Sequence, residues 1–257
     1  MPYVDSIILG LVQGITEFLP ISSSGHIFLA ETWMGLVPDV DLSLWLHLGS
    51  LLAVIGYFWK DLWRMSIGCL QMVQENRMNN HAMYTIKLLV ATLATLPVAI
   101  VVHNLFPHSE LSLGMVGITL IVTAGLIVAS ERWNRPQQSF TWMVVIVLGL
   151  VQGLSILPGI SRSGLTIALL IWLGVSRQLA ARTSFLLSIP TILGAGLYTY
   201  IQQGERFVDL GWFEIVAVAT SAVSAYVAIA WMMRWVEGRW IYFAYYCFGL
   251  GILTIIL

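Results

Sequence analysis

The chain has 257 residues, 58% of them hydrophobic and only 10% charged, with a mean hydropathy of +0.86. Soluble domains carry about a quarter charged residues, so this composition excludes an ordinary soluble protein and predicts one integral membrane domain over residues 1–257. The net charge of −1 offers nothing global to attract nucleic acid, and Cys69 and Cys247 show neither metal-ligand spacing nor a disulfide framework.

The N-terminal MPYVDSIILGLVQG has no basic region or small-residue cleavage site, so it does not read as a removable signal peptide. The first apolar stretch, 3–30, is interrupted near its middle by proline, glycine and a serine cluster. Unbroken runs close to the length that crosses a bilayer follow at 42–59, 86–102 and 111–129. A second broken stretch, 141–174, precedes further runs at 184–201, 212–233 and 240–257.

Charge orients these runs. Loops are expected at 60–85 with Lys60, Arg64 and Arg77, at 130–140 with Arg132 and Arg135, and at 234–239 with Arg234 and Arg239. Arg177 and Arg182 mark a fourth loop, 175–183. The positive-inside bias puts all four in the cytoplasm. The segment 31–41, with Glu31, Asp39 and Asp41 but no basic residue, then lies outside, as do 103–110 and, despite Arg206, 202–211. The broken stretch 141–174 therefore starts and ends inside and is predicted to be a re-entrant hairpin. Its counterpart 3–30 is predicted to dip in from the outer face. Non-helical backbone at membrane depth is tolerated only where protein buries it or water reaches it, so two breaks predict a cavity.

An internal repeat links the two breaks. At an offset of 139 residues, GLVQG at 10–14 falls on GLVQG at 149–153 and ISSSG at 21–25 falls on ISRSG at 160–164. Nine of the sixteen positions from Gly10 to Gly25 are identical, with Gln, Gly and Ser matched in register, which points to duplication. Because the run 42–59 is read as passing inward and 184–201 outward, the halves (approximately 1–130 and 140–257) have opposite orientation. This is the inverted-repeat plan, in which broken helices meet at a midplane site. The expected fold is thus an all-α integral membrane protein with six transmembrane helices and two re-entrant helical hairpins in an inverted-topology repeat.

The differences between the copies carry the chemistry. Glu17 faces Ile156, Ser23 faces Arg162 and His26 faces Leu165, so one half keeps an acid and an imidazole while the other keeps a guanidinium. Gln13 and Glu17, four apart, share a helical face. Ser22, Ser23 and Ser24 before Gly25 and His26, and Ser161, Arg162 and Ser163 before Gly164, each read as a serine-capped helix start. Free backbone N–H groups and hydroxyls at such starts bind anions, phosphate above all, and Arg162 adds a planar fork suited to phosphate oxygens. Serine and glycine in membrane helices also serve close packing, and Glu17 can simply pair with Arg162. Charges at membrane depth cost about 2.5–3.5 kcal/mol on insertion scales and mark functional sites. A carboxylate beside a phosphate site is reconciled by a divalent cation, Mg²⁺ or Ca²⁺, with Glu17 and Gln13 as the protein ligands. Ser23 or His26 is then placed to attack phosphorus while a neighbour takes the proton.

At these residues the chain resembles the undecaprenyl-diphosphate phosphatase family, also called the bacitracin-resistance protein family. The resemblance rests on QGITEFLPISSSGH at 13–26, HLGSLLAV at 47–54, PGISRSG at 158–164 and SRQLAARTSFLLSIPTILGA at 176–195, and covers nearly the whole chain. It implies hydrolysis of a polyprenyl diphosphate to the monophosphate and phosphate, recycling the lipid carrier of cell-wall synthesis. It also implies six spans with two re-entrant hairpins in the bacterial cytoplasmic (inner) membrane, with the site open to the outer, periplasmic side. In that pattern Glu17 is metal ligand or base, Arg162 clamps the diphosphate, and Ser23 or His26 is the nucleophile. Gln13, Ser22, Ser24, Gly25, Ser161, Ser163 and Gly164 would contact substrate. Gln13 stands where the family has Glu or Gln, leaving the site one formal charge short of a two-carboxylate version. The expected partners are the polyprenyl lipid and the surrounding membrane lipids, without nucleic acid; a homodimer is allowed but not dictated.

Two other activities compete. The acid-phosphatase type of lipid phosphatase needs His and Asp soon after its arginine, and residues 163–176 contain neither. A polyprenyl-phosphate flippase or transporter would use the same repeat plan and the same phosphate site.

Overall fold

The computed structural model describes residues 3–37, 40–106, 112–132, 140–203 and 211–256, and the regular structure among them is entirely helical. The first half holds α1 (Tyr3–Phe18), α2 (Ser23–Met34), α3 (Val40–Tyr57), α4 (Trp59–Glu75), α5 (Asn80–Leu105) and α6 (Leu113–Arg132). The second holds α7 (Trp142–Gln152) with a 3₁₀ turn (Gly153–Ile156), α8 (Arg162–Trp172), α9 (Arg177–Gln203), α10 (Trp212–Trp235) and α11 (Trp240–Ile256). The described part of each unbroken apolar run falls on one helix, except that 42–59 passes the end of α3 through Phe58 to Trp59, the first residue of α4; both broken stretches are broken where the sequence places Pro20 and Pro158.

Helices α5, α6, α9 and α10 are long and apolar enough to cross a membrane. Helix α3 qualifies together with α4, to which it is joined through a 74° bend. Helix α11 has 17 residues, about 25 Å at 1.5 Å per residue against a hydrocarbon core of about 30 Å. The chain is therefore an all-α, multi-pass membrane protein.

Two expected loops are helical instead. Most of 60–85 forms α4, which buries Met65 and Gly68 and carries Lys60, Asp61 and Arg64 among its exposed and half-buried positions. Its polar face keeps mean hydropathy low, so a hydropathy reading mistakes an amphipathic helix for a loop. Asn79 joins it to the next span, its side chain accepting from Ala82 N at 2.9 Å and donating to Gly68 O at 2.6 Å. The stretch 175–183 is likewise mostly the first turns of α9, which begins at Arg177. Asp39, Arg135 and Arg206, which entered the orientation argument, lie outside the described residues, as do 107–110 of the expected loop 103–110 and most of 130–140 and 202–211.

Helices pack closely at the glycines of both GLVQG motifs. Helix α1 lies on α10, α7 lies on α5, and α6 and α11 lie together. In the first copy of GLVQG, a Cβ on Gly14 would stand 2.0 Å from Ser224 Oγ and 2.3 Å from Ser221 O. In the second, a Cβ on Gly149 would stand 2.2 Å from Ala91 O and one on Gly153 2.9 Å from Thr95 O. The matched glycines thus do the same work, letting a partner helix approach to backbone distance where dispersion is the main attraction. Phe18, Phe58 and Phe185 belong to the main buried cluster, with Phe18 and Phe185 edge to face at 5.2 Å. This cluster reaches the C-terminal end of α1, so the residue before Phe18, Glu17, sits on a rigid base.

Candidate active site

The site forms where the two breaks meet. Helix α1 ends at Phe18, and the chain turns into Ser22, whose φ of +71° is rare for a residue with a Cβ. Ser22 Oγ accepts from Gly25 N at 3.2 Å and so caps α2. In the second break Gly159 has φ +86°, and a Cβ there would lie 1.9 Å from Thr119 Oγ1. Ser161 Oγ accepts from Gly164 N at 3.0 Å and caps α8. Helix α6 braces this tip, Thr119 Oγ1 donating to Pro158 O at 2.7 Å and Ser161 N donating to Thr123 Oγ1 at 3.2 Å.

The tips are stitched to each other. Ser163 Oγ donates to Leu19 O at 2.9 Å and lies 3.2 Å from Ser161 Oγ. Gly159 N donates to Ser24 Oγ at 3.4 Å, and Ser24 Oγ lies 3.3 Å from Ser22 Oγ. A Cβ on Gly25 would be 3.3 Å from Gly159 Cα, and one on Gly164 would be 3.3 Å from Pro20 Cβ. Ser22, Gly25, Ser161, Ser163 and Gly164, expected to contact substrate, are buried and hold the junction together. Ser24 is exposed and Ser23 half-buried.

Glu17 is the hub of the assembled site. Its side chain is 6% exposed. Oε2 accepts from Ser23 Oγ at 2.6 Å and from Gln13 Nε2 at 3.0 Å. Oε1 accepts from Arg162 Nη2 in a buried ion pair that joins the halves. His47 on α3 brings Nε2 to 3.7 Å from Oε2. Its Nδ1 faces Ser43 O at 2.7 Å, and a carbonyl oxygen only accepts, so Nδ1 carries the hydrogen. The predicted Gln13, Glu17, Ser23 and Arg162 are therefore brought together, with His47 added from a third element.

His26 stands apart from this hub. Its Nδ1 donates to Ser22 O at 2.7 Å, and its Nε2 lies 2.8 Å from Tyr246 Oη on α11. With Nδ1 protonated, the neutral ring accepts the tyrosine hydrogen at Nε2. The two rings are stacked, 11° from parallel with centroids 5.6 Å apart. The sequence reading missed both His47 and Tyr246. An imidazole inside an apolar run was a usable signal for His47, whereas nothing distinguishes Tyr246 from its aromatic neighbours on α11.

Gln152, the repeat counterpart of Gln13, has another task. Its Nε2 donates to Thr95 Oγ1 at 2.9 Å and Thr191 Oγ1 at 3.2 Å. The glutamines of the two GLVQG motifs thus differ in their contacts, Gln13 bonding to the carboxylate and Gln152 to α5 and α9.

Two atoms of the hub, Gln13 Oε1 and Arg162 Nη1, are buried without a hydrogen-bond partner. One is a hard oxygen donor beside a carboxylate and the other a guanidinium N–H, so the pair matches a cation and an anion respectively. Among the described residues, three or more His, Cys, Asp or Glu side chains nowhere group as metal ligands. Glu17 and Gln13 carry oxygen atoms of the kind that hard divalent cations take as ligands.

Comparison with known proteins identifies the family. The family described as "Bacitracin resistance protein BacA" matches residues 6–253. A protein from Alcanivorax borkumensis named undecaprenyl-diphosphatase is 41% identical over 246 residues, covering 92% of this chain and 91% of its own length. Proteins of that name from Methanosphaera stadtmanae and Halothermothrix orenii are each 36% identical, covering 99% and 98% of this chain and 97% and 96% of their own. With its helical membrane fold and its motifs gathered at one junction, the chain belongs to the bacitracin resistance protein BacA family.

Proposed function

We propose that this chain is a membrane phosphatase that hydrolyses undecaprenyl, or more generally polyprenyl, diphosphate to the monophosphate and inorganic phosphate, returning the lipid carrier of cell-wall synthesis to use. The observation that carries the reading is the Ser23–Glu17–Arg162 constellation: a hydroxyl 2.6 Å from a buried carboxylate that is itself paired with a guanidinium. Ser23 Oγ attacks the terminal phosphorus, and its proton passes to Glu17 Oε2. The bond from that phosphorus to the bridging oxygen breaks, releasing the polyprenyl monophosphate. Water then attacks the phosphoseryl phosphorus and the P–Oγ bond breaks; the water hydroxyl stays on the released phosphate, its other proton goes to Ser23 Oγ, and Glu17 gives the proton it took to solvent. Arg162 turns its fork to the equatorial oxygens, with Nη1 already without a protein partner.

Ser23 rather than His26 is the nucleophile in this scheme, because Tyr246 occupies His26 Nε2 while Ser23 already points at its base. His26 positions the serine tip through Ser22 O. Glu17 and Gln13 would hold a divalent cation, which when bound neutralises phosphate charge. The hydroxyls of Ser22, Ser161 and Ser163 fix the shape of the junction rather than touch phosphate.

The architecture that goes with this function has α3, α5, α6, α9, α10 and α11 as six spans. The pairs α1–α2 and α7–α8 are re-entrant hairpins of repeats approximately 1–130 and 140–257. The matched glycine contacts of α1 on α10 and α7 on α5 support it. The protein lies in the cytoplasmic membrane with the site open to the outer face. The flippase reading has no specific observation in its favour.

Phosphate release from farnesyl or undecaprenyl diphosphate by the protein in detergent, with Mg²⁺ and with a chelator, tests this function. Release that is lost in Ser23→Ala is expected; lipid binding without release in the native protein overturns it.

A further inference from the structure

A cavity of about 300 Å³ opens between α4, α5 and α9, lined by Asp61 and Arg64 of α4, His81 of α5 and Arg182 of α9, with Met65 and Leu186 as apolar wall. Neither Glu17 nor Arg162 lines it. Its charges do not balance. Asp61 Oδ1 accepts from Arg182 Nη2, yet the Arg182 side chain stays 42% exposed, and a guanidinium has five N–H donors. Arg64 is exposed and has no ion-pair partner among the described residues. Two guanidinium forks against one carboxylate leave a positive cavity whose donors match the oxygens of a phosphate. His81, in the first turn of α5, adds the positive end of that helix.

Helix α4 sets this cavity at the edge of the bilayer. It leaves α3 through a 74° bend, so with α3 as a span α4 lies near the membrane plane. One side of α4 packs on α5, where a Cβ on Gly68 would stand 2.5 Å from His81 Cβ. The opposite side is an exposed apolar stripe. Trp59 and Trp63, each 58% exposed, stack with centroids 6.4 Å apart, and Leu70 and Val73 continue the same face. Interfacial helices bury such a stripe at the boundary between headgroups and acyl chains, the level at which tryptophan is enriched. Arg64 and Arg182 are thereby held at headgroup depth, on the cytoplasmic side in the orientation proposed above.

We propose that the α4–α5–α9 cavity binds the headgroup phosphate of an anionic phospholipid, with Arg64 and Arg182 on its oxygens and the Trp59–Trp63 stripe beside its acyl chains. Basic pockets between membrane helices recognise headgroups in this way. A free phosphate ion offers the same oxygens, but only a lipid also uses the tryptophan stripe.

The test titrates full-length protein in detergent with dioleoylphosphatidylglycerol, or with dioleoylphosphatidylcholine as a zwitterionic lipid of the same chains, and counts bound lipid by native mass spectrometry. Two variants are compared with the native chain. Arg64→Gln removes the unpaired charge, and Asp61→Asn combined with Arg182→Gln removes the ion pair without leaving a lone charge. The Kd for phosphatidylglycerol is expected to rise about fivefold in each, the scale of one basic group at an anionic headgroup, while that for phosphatidylcholine stays unchanged. Thermal unfolding in phosphatidylcholine shows whether each variant is folded; if the double variant is not, Arg64→Gln alone decides. Equal binding of the two lipids by the native chain overturns the proposal, as does a native Kd for phosphatidylglycerol in the folded variants. Inorganic phosphate at the lipid's concentration should leave bound phosphatidylglycerol in place; displacement makes this a free-phosphate site and overturns the lipid assignment. No readout here uses phosphate release, so the outcome is independent of the phosphatase reading.

Discussion

Ser23 Oγ stands 2.6 Å from Glu17 Oε2 across the break between α1 and α2, so the break places a hydroxyl on the carboxylate of the helix it interrupts. A continuous helix would put residues six apart on different faces. Replacing Ser23 by Ala removes the hydroxyl and leaves the Glu17–Arg162 pair in place. Phosphate release is expected to fall by at least about 10³-fold, the scale seen when a nucleophile is deleted, while farnesyl diphosphate still binds. A variant that keeps a tenth of native turnover moves the nucleophile to His26.

Arg162 offers two kinds of function, a charge for Glu17 and a fork for phosphate. Arg162→Lys keeps the first and loses the second. Turnover is expected to drop about 10²-fold, the effect of losing an aimed donor at a developing anion, with little change in thermal unfolding. Arg162→Met instead leaves Glu17 without its partner and costs about 3–5 kcal/mol of stability. Equal loss of stability in both variants would make the pair structural only.

Much of this was legible in the sequence, for identifiable reasons. The breaks at Pro20 and Pro158 interrupt runs whose hydropathy is otherwise continuous, and the repeat aligns Ser23 with Arg162, so the meeting of the tips could be anticipated. What hydropathy cannot see is α4, whose polar face cancels its apolar one, and the first turns of α9, which are basic. Single apolar-context polar residues are also weakly marked: Gln13 and Gln152 look equivalent by repeat yet bond to Glu17 and to Thr95 and Thr191 respectively. The serines show a further limit. Their pattern announces helix caps, but only the fold tells which hydroxyls stitch the junction and which one faces the carboxylate.

Tyr246 is placed to act on the reaction through His26. Tyr246→Phe keeps the stacked ring and removes the hydrogen bond to Nε2. The expected result is a fall in kcat of up to about tenfold, one hydrogen bond's worth, with KM nearly unchanged. Tyr246→Ala also loses the stacked face and should lower stability as well. A KM effect without a kcat effect would place Tyr246 at the substrate rather than behind His26.

Gly159 and Gly35 separate backbone strain from crowding. Both have positive φ, +86° and +66°. A Cβ at Gly35 meets nothing within 4 Å, whereas one at Gly159 would be 1.9 Å from Thr119 Oγ1 and 2.9 Å from Val116 O. Gly35→Ala is expected to cost about 1–2 kcal/mol, the left-handed penalty alone. Gly159→Ala adds a clash that pushes the second tip off α6, so thermal unfolding in detergent should drop further and phosphate release should be lost. Equal behaviour of the two variants would show that the second tip is not held by this contact.

Gln13 tests the cation. In the native hub its Nε2 donates to Glu17 Oε2 at 3.0 Å, and its Oε1 is buried without a partner. Gln13→Glu removes that donor and sets a second carboxylate against the first, which is unfavourable unless a cation lies between them. Ligand charge count is a main control on affinity for hard divalent ions, so the Mg²⁺ concentration for half-maximal phosphate release should fall about tenfold. In chelator the same variant should unfold at a lower temperature than the native chain, because the repulsion is then uncompensated. Gln13→Leu supplies the opposite case, with weaker Mg²⁺ dependence and no added repulsion. If all three proteins share one Mg²⁺ titration curve, Gln13 is no ligand, and its amide serves only to orient Glu17 toward Ser23.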